Sequence, residues 1–556
     1  MTVQSGKAAL QAIHEQVMWN RLVAVVEEQA QALLRAAFGS VVREAGDLSA
    51  GVYDVEGRML AQAVTGTPGH VNTMAMAVSH FLERFPVATM APGDVFVTND
   101  PWMGTGHLFD YVVVTPAFLD GRPVALFAST CHVMDVGGRG FSADANSVFE
   151  EGTLIPHMKL RDGGRLDEKL LAIIAANSRN PLEVRGDLLS LVACNDTGTK
   201  RLVDMMAEFG LADLSSLAGH ILAASEKAMR EAIRTVPDGV YRAETSTDGY
   251  EEPIRLALAL TVDGDRIGLD YAGSSRASRF GINSPKCYTD AYSAFALKCV
   301  IAPDVPNNAG SLGCFEVAAE PGSCVAPERP SPVTARHVIG QMLPDAVFGC
   351  LALALPGRIQ AESAGSIWVL PMQSDDDPSR PAGNTRRFNV LNVGLGGIGA
   401  RPGRDGVSTT AFPSGVGTIP VEVTESEAPL VFWHKELLPD SGGVGQWRGG
   451  LSQRIRIGHR HGHGFLLSAA TWDRLDTPAR GREGGGPGAP GAARLDDGTP
   501  LAGKSWHRIP PGRTVTVDLP GGGGFGDPAR RAPEAIAADL AAGYVTTDPR
   551  GQTGSA

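Results

Sequence analysis

The sequence has no block of lysine and arginine: 49 basic residues face 61 acidic ones over 556 positions, for a net charge of −12. A nucleic-acid role needs a basic face that displaces counterions, so that class is excluded. Cysteine is scarce. The seven thiols, Cys131, Cys194, Cys287, Cys299, Cys314, Cys324 and Cys350, are odd in number and never form a Cys-x-x-Cys pair. A zinc ribbon and a disulfide framework are thereby excluded, and reduced thiols in a reducing cytosol are expected. No apolar run reads as long enough to span a membrane, and the N-terminal MTVQSGKAALQAIHEQVMWNRL mixes acid with base around no apolar signal core. A cytoplasmic protein with no membrane partner is the expectation. Aromatics are only 6% of the chain, whereas glycine (68) and proline (37) are abundant, which predicts many turns and loops.

The length exceeds what one hydrophobic core holds, and about two to four domains are expected. Helical periodicity without Pro or Gly runs from about Lys7 to Phe38. The stretch SVVREAGDLSAGVYDVEGRMLAQAV predicts two strands around a turn at Glu56-Gly57, with Asp47 just ahead of the first strand and Asp54 at its end. A helix is expected from about Asn72. Val112–Phe127 reads as a hairpin turning at Asp120-Gly121, and 144–235 as helix-rich. Beyond Pro237-Asp238-Gly239, paired strands with Asp-Gly turns take over, with helices near 288–301 and 336–354. A last helix starts at Pro533 and is stopped by Gly543. The fold class is mixed α+β and multi-domain. Residues 1–238 form a helix-plus-sheet unit with the metal-ligand residues, 239–375 an α/β middle unit, and 376–556 a β-rich, Gly-rich unit.

Several motifs point to chemistry and fail on context. Gly498–Ser505 has the P-loop spacing, but Pro510-Pro511 stops any helix whose N-terminus could hold a triphosphate. His459, His461 and His463 share one face of a strand, with no carboxylate close in sequence. Gly521–Gly524 reads as a structural loop. The segment Thr98–Gly138 is different, because TNDPWMGTGHLFDY and CHVMDVGG place His107, Asp110 and His132 in two polar patches at the ends of the hairpin. Strand pairing returns His132 to face His107 and Asp110, and Asp47 offers a fourth ligand. This nitrogen and oxygen set suits zinc, iron or manganese. Asp135, three residues past His132, is placed to orient it. His70 in GTPGHVN and His157 in IPHMKL are further candidate pocket residues.

NDPWMGTGHLFDYVVVTPAF, CHVMDVGG and EEGTLIPHMKL resemble the signature block of the hydantoinase B/oxoprolinase family, and REAGDLSAGVYDVEGRMLAQA, GINSPKCYT, LLPDSGGVGQWRGGL and PGGGGFGDPARRAPEAIAADLAAGYV resemble its other hallmarks. MGTGHLFD and PVTARHVIGQML depart from the family's usual text. The resemblance implies metal ligands at Asp47, His107, Asp110 and His132. It also implies an ATP-dependent cyclic-amide hydrolase, in which an A-type partner carrying ATP and Mg phosphorylates the ring and this B-type subunit supplies metal-activated water. Asp135 would orient His132, and His70 or His157 would shuttle protons. A hetero-oligomer acting on a small cyclic amide follows. The large subunit of a ketone carboxylase and a non-catalytic scaffold subunit are the alternatives.

Overall fold

The computed structural model describes residues 3–365, 367–375, 387–548 and 550. A seven-stranded sheet fills the N-terminal part, built from β1 (Leu48–Tyr53), β2 (Met59–Gln62), β3 (Val95–Thr98), β4 (Asp110–Leu119), β5 (Arg122–His132), β6 (Met158–Asp162) and β7 (Arg165–Leu166) in the order β2-β1-β5-β4-β3-β6-β7. The long helices Val3–Ala36 and Pro181–Phe209 cover one face, and Pro68–Arg84 covers the other. Val112 and Val114 enter a core with Phe81 and Met74, while Val113 between them enters a core with Leu33 and Leu191. Both faces of β4 are therefore dry, which explains its unbroken apolar run.

The expected helix from Lys7 to Phe38 is observed as Val3–Ala36, and the one from Asn72 as Pro68–Arg84, capped by the Thr67 side chain. The first strand begins at Leu48, just past Asp47 as expected, and Ser40–Arg43 ahead of it is a helical turn held by hydrogen bonds such as Arg43 N–H to Gly39 O.

The middle part carries β8 (Gly239–Thr247), β9 (Ile254–Asp263), β10 (Arg266–Asp270) and β11 (Phe315–Ala318), in the order β11-β10-β9-β8. Helices Ser215–Ile233, Lys286–Ile301 and Leu343–Ala354 share its core. The stretch His337–Ala354, 18 residues of mean hydropathy 1.4, has the length and composition to cross a membrane, contrary to the sequence expectation; 83% of it is buried inside the protein.

The C-terminal part pairs two antiparallel sheets over one core that includes Trp368, Ile455, Trp472 and Val517. One contains β12 (Trp368–Ser374), β13 (Asn389–Gly394), β16 (Phe465–Ser468) and β18 (Trp506–Ile509), and the other β14 (Leu430–Leu437), β15 (Gln453–His459), β17 (Ala492–Leu495) and β19 (Thr514–Asp518). The expected break at 375 falls between β12 and β13, which pair along their whole length. That ladder ties the last residues of the expected middle unit to the third unit. Residues 376–386, at its expected start, lie outside the described residues.

Gly521–Gly524 is a structural loop. Its four N–H groups donate to the carbonyls of Ala489, Gly450, Glu362 and Gly486. A Cβ on Gly521 would stand 1.7 Å from Ser441 O, an approach only glycine allows.

Candidate metal centre

The turn residues Asp120 (φ 49°) and Gly121 (φ 77°) close the β4–β5 hairpin in the left-handed region that Asp-Gly favours. Its register sets Asp110, the first residue of β4, opposite His132, the last of β5. β1 pairs on the other side of β5, with Leu48 opposite Cys131, and Asp47 O accepts from His132 N–H. His107 stands on the loop entering β4. His70 comes from the first turn of Pro68–Arg84.

These five side chains converge. His107 Nε2 lies 2.9 Å and His132 Nδ1 3.3 Å from Asp110 Oδ1. His132 Nδ1 is 3.9 Å from Asp47 Oδ2, and His70 bridges Asp110 Oδ2 at 2.9 Å and Asp47 Oδ1 at 3.4 Å. One ligand atom each from His107, Asp110 and His132 falls within 4.8 Å of the others, and all three residues are buried.

Hydrogen bonding shows what this cluster lacks. His107 Nδ1 lies 2.8 Å from Thr334 O, and a carbonyl can only accept, so Nδ1 carries the proton. Burial, and next the Arg336 charge, push the His107 pKa down to about 3, so the ring is neutral and Nε2 is a bare lone pair. That lone pair faces Asp110 Oδ1, and among the described residues neither atom has a hydrogen-bond partner. Asp47 Oδ1, His70 Nδ1 and His132 Nε2 are likewise buried without one. The His107 Nε2 and Asp110 Oδ1 lone pairs, 2.9 Å apart, repel, and a shared cation is what reconciles them. Burial disfavours the Asp110 carboxylate, but the charges beside it, His70 and Arg336, outweigh burial and hold its pKa well below the usual range. For His70, burial is outweighed by Asp110 and Asp47, which raise its pKa. The donor set fits a divalent cation of the zinc, iron or manganese type.

Asp135 does not orient His132. Its carboxylate accepts from Arg179, at 2.5 Å from the backbone N–H and 2.6 Å from Nη1, so it braces the chain near Gly137 instead. His157 packs edge-on against Phe81, ring centroids 4.4 Å apart, and the charges acting on it are those of Asp100, His80, Arg84 and Glu83, none of them in the cluster. His70 belongs to the cluster, with both ring nitrogens directed at its carboxylates.

Sequence reasoning missed Arg336, Thr105 and Thr334. Arg336 Nη2 donates to Asp110 Oδ2 at 2.6 Å across 226 positions, and Thr105 Oγ1 donates to the same oxygen at 2.8 Å. His337, buried beside them, is held neutral by burial and by the charge of Arg336. The departure PVTARHVIGQML was the one local signal that this segment is special.

A cavity of about 760 Å³ opens between the N-terminal and C-terminal parts, lined by Met134, Arg179, Asn389 and Arg508 among others. A smaller one carries the lining inward to Phe141, whose ring lies 5.5 Å from that of His132 and 6.1 Å from that of His107.

Gly498–Ser505 holds no phosphate cradle. It leads into a strand, β18, and the buried Lys504 ammonium pairs with Asp473 at 2.8 Å.

Residues 11–528 match the hydantoinase B/oxoprolinase family. The chain belongs to this family. Among the relatives of this hydantoinase B/oxoprolinase member, an uncharacterized protein of Methanocaldococcus jannaschii is 28% identical over 93% of this chain and 91% of its own length. The putative B-type subunit of a D-/L-hydantoinase from a Pseudomonas species is 26% identical, over 96% and 93%. The crystal structure of the ATP-dependent caprolactamase from Pseudomonas jessenii shares the fold, with a TM-score of 0.87 at 24% identity over 96% of this chain and 94% of that one.

Proposed function

We propose that this chain is the B-type subunit of an ATP-dependent cyclic-amide hydrolase, with a divalent cation held by Asp47, His107, Asp110 and His132. The observation that carries the reading is the bare Nε2 of His107 set 2.9 Å from the undonated Oδ1 of Asp110. The names of the relatives, a hydantoinase subunit and a caprolactamase, support cyclic amides as the substrate class and a partner subunit as a requirement.

Amide resonance makes the carbonyl carbon of an unstrained lactam or hydantoin a poor electrophile. Phosphorylation of the carbonyl oxygen, by an A-type partner holding ATP and Mg, turns that oxygen into a leaving group. The cation would supply Lewis acidity and make water available as a nucleophile near neutral pH. Within this chain, Asp110 and Asp47 provide the carboxylates and His107 presents a lone pair fixed by its Nδ1–H bond to Thr334. His70 is locked between the two carboxylates, 1% exposed, which suits it to orienting them rather than to carrying protons to solvent. No residue of Gly498–Ser505 takes part.

The test is reconstitution with an A-type subunit, ATP and Mg, supplying hydantoin, 5-oxoproline or caprolactam and following ADP and ring-opened product. Product is expected only when both subunits and ATP are present, and His132→Ala should abolish it. Full-speed ring opening by this chain alone, without ATP, would replace the proposal with a simple metallo-amidohydrolase.

A further inference from the structure

The two oxygens of Asp110 are treated very differently. Oδ2 accepts three donors: His70 Nε2 at 2.9 Å, Thr105 Oγ1 at 2.8 Å and Arg336 Nη2 at 2.6 Å. Oδ1 accepts none, and it is the oxygen that faces His107 Nε2 and His132 Nδ1. A carboxylate free at both oxygens can close on a cation with the pair. One whose second oxygen is saturated offers the ion a single oxygen.

Arg336 is held for this task from both ends. Its Nε donates to Thr105 O at 2.7 Å, and its guanidinium lies 4.2 Å from the ring centre of Tyr288, a cation–π contact on a side chain 5% exposed. The surrounding backbone makes room for the pair. A Cβ on Gly106 would strike Arg336 Cδ at 2.6 Å, and one on Gly340 would strike the Tyr288 ring at 2.3 Å. The segment bearing Arg336 is itself pinned to the metal loop. Trp102 Nε1 donates to Pro327 O, Arg329 pairs with Asp100, and Thr334 O receives His107.

We infer that Arg336 is a positioning residue that holds Asp110 as a one-oxygen ligand, keeping a coordination place open that the second oxygen would otherwise fill. Its two-point hold on Asp110 Oδ2 and Thr105 O fixes which oxygen is offered. The inference rests on the metal reading above and deepens it. It also makes the centre a joint product of the N-terminal sheet and the middle part of the chain.

The test loads Co²⁺ into the full-length wild type, Arg336→Met and Arg336→Lys, and records metal stoichiometry and the visible absorption of the bound ion. Arg336→Met should keep Co²⁺ while its bands weaken and shift toward higher coordination, as Oδ2 joins Oδ1. Arg336→Lys keeps the charge but cannot reach both oxygens, and should shift in the same direction by less. A wild type that takes up no Co²⁺ removes the metal reading and this inference together. A wild type that binds Co²⁺, with an Arg336→Met spectrum superposable on it, removes the Arg336 role and leaves the metal reading standing. If Arg336→Met does not fold, a superposable Arg336→Lys spectrum overturns the role in the same way.

Discussion

Asp110 and His132 are direct cross-strand partners, one opening β4 and the other closing β5. Every other member of the cluster is referred to this pair. Asp47 enters through the backbone bond that His132 N–H gives to it, His107 lies three residues before Asp110, and His70 and Arg336 both bond to Asp110. A side-chain pair set on a ladder moves only if the sheet moves.

His107→Ala should lose the bound cation while the fold survives. The substitution removes one ligand and leaves the buried Thr334 O without its donor, a loss of about 1–3 kcal/mol. Metal content by mass spectrometry, compared with the chemical denaturation midpoint of the metal-free proteins, separates the two effects. Full metal occupancy in the variant would remove His107 from the ligand set.

Lys504→Met tests the P-loop spacing from the other side. Lys504 and Asp473 are 5% and 0% exposed, and losing one partner of a buried pair strands the other charge, typically at about 3–5 kcal/mol. A large fall in stability is expected, and Asp473→Leu combined with Lys504→Met should recover much of it. Calorimetry on the wild-type chain should show no ATP binding. Micromolar affinity, abolished by Lys504→Met, would mean that the segment does hold a nucleotide.

Much of the site was legible because it is local in sequence. Asp120-Gly121 announces a hairpin, which returns His132 to the neighbourhood of His107 and Asp110, but the exact pairing of Asp110 with His132 depends on a one-residue register shift at Ala117/Phe118 that no spacing rule announces. Asp47 did not follow from that logic, since β1 pairs with a strand far along the chain, Leu48 opposite Cys131, and the family resemblance named it as a ligand. Arg336 and Thr334 were not legible, because no spacing rule links residues more than two hundred positions apart. Asp135 shows the opposite error: nearness in sequence suggested His132 as its partner, while past the end of β5 the chain turns and gives it to Arg179.

Glu151 joins the fold to the site without touching a ligand, and it should make stability depend on pH. Its Oε1 accepts from the N–H groups of Val333 and Thr334 at 2.6 and 2.7 Å, fixing the segment whose Thr334 carbonyl holds His107, while Oε2 is buried without a partner. Burial pushes its pKa up from 4.5 to about 7, against the two backbone donors and with a small push from Glu150. Between those values the folded protein keeps a proton that the unfolded chain releases. The native state then binds more protons, so stability contributed by this group falls as pH rises through the window and levels off above it. The full loss is on the order of 3 kcal/mol at about 1.4 kcal/mol per pKa unit. Glu151→Gln keeps the acceptor for Val333 and Thr334 and cannot ionise. It should match the wild type near pH 5 and exceed it by about 1–3 kcal/mol at pH 8, read from urea midpoints across that range. A difference between the two proteins that stays constant with pH would show that Glu151 does not titrate in this window.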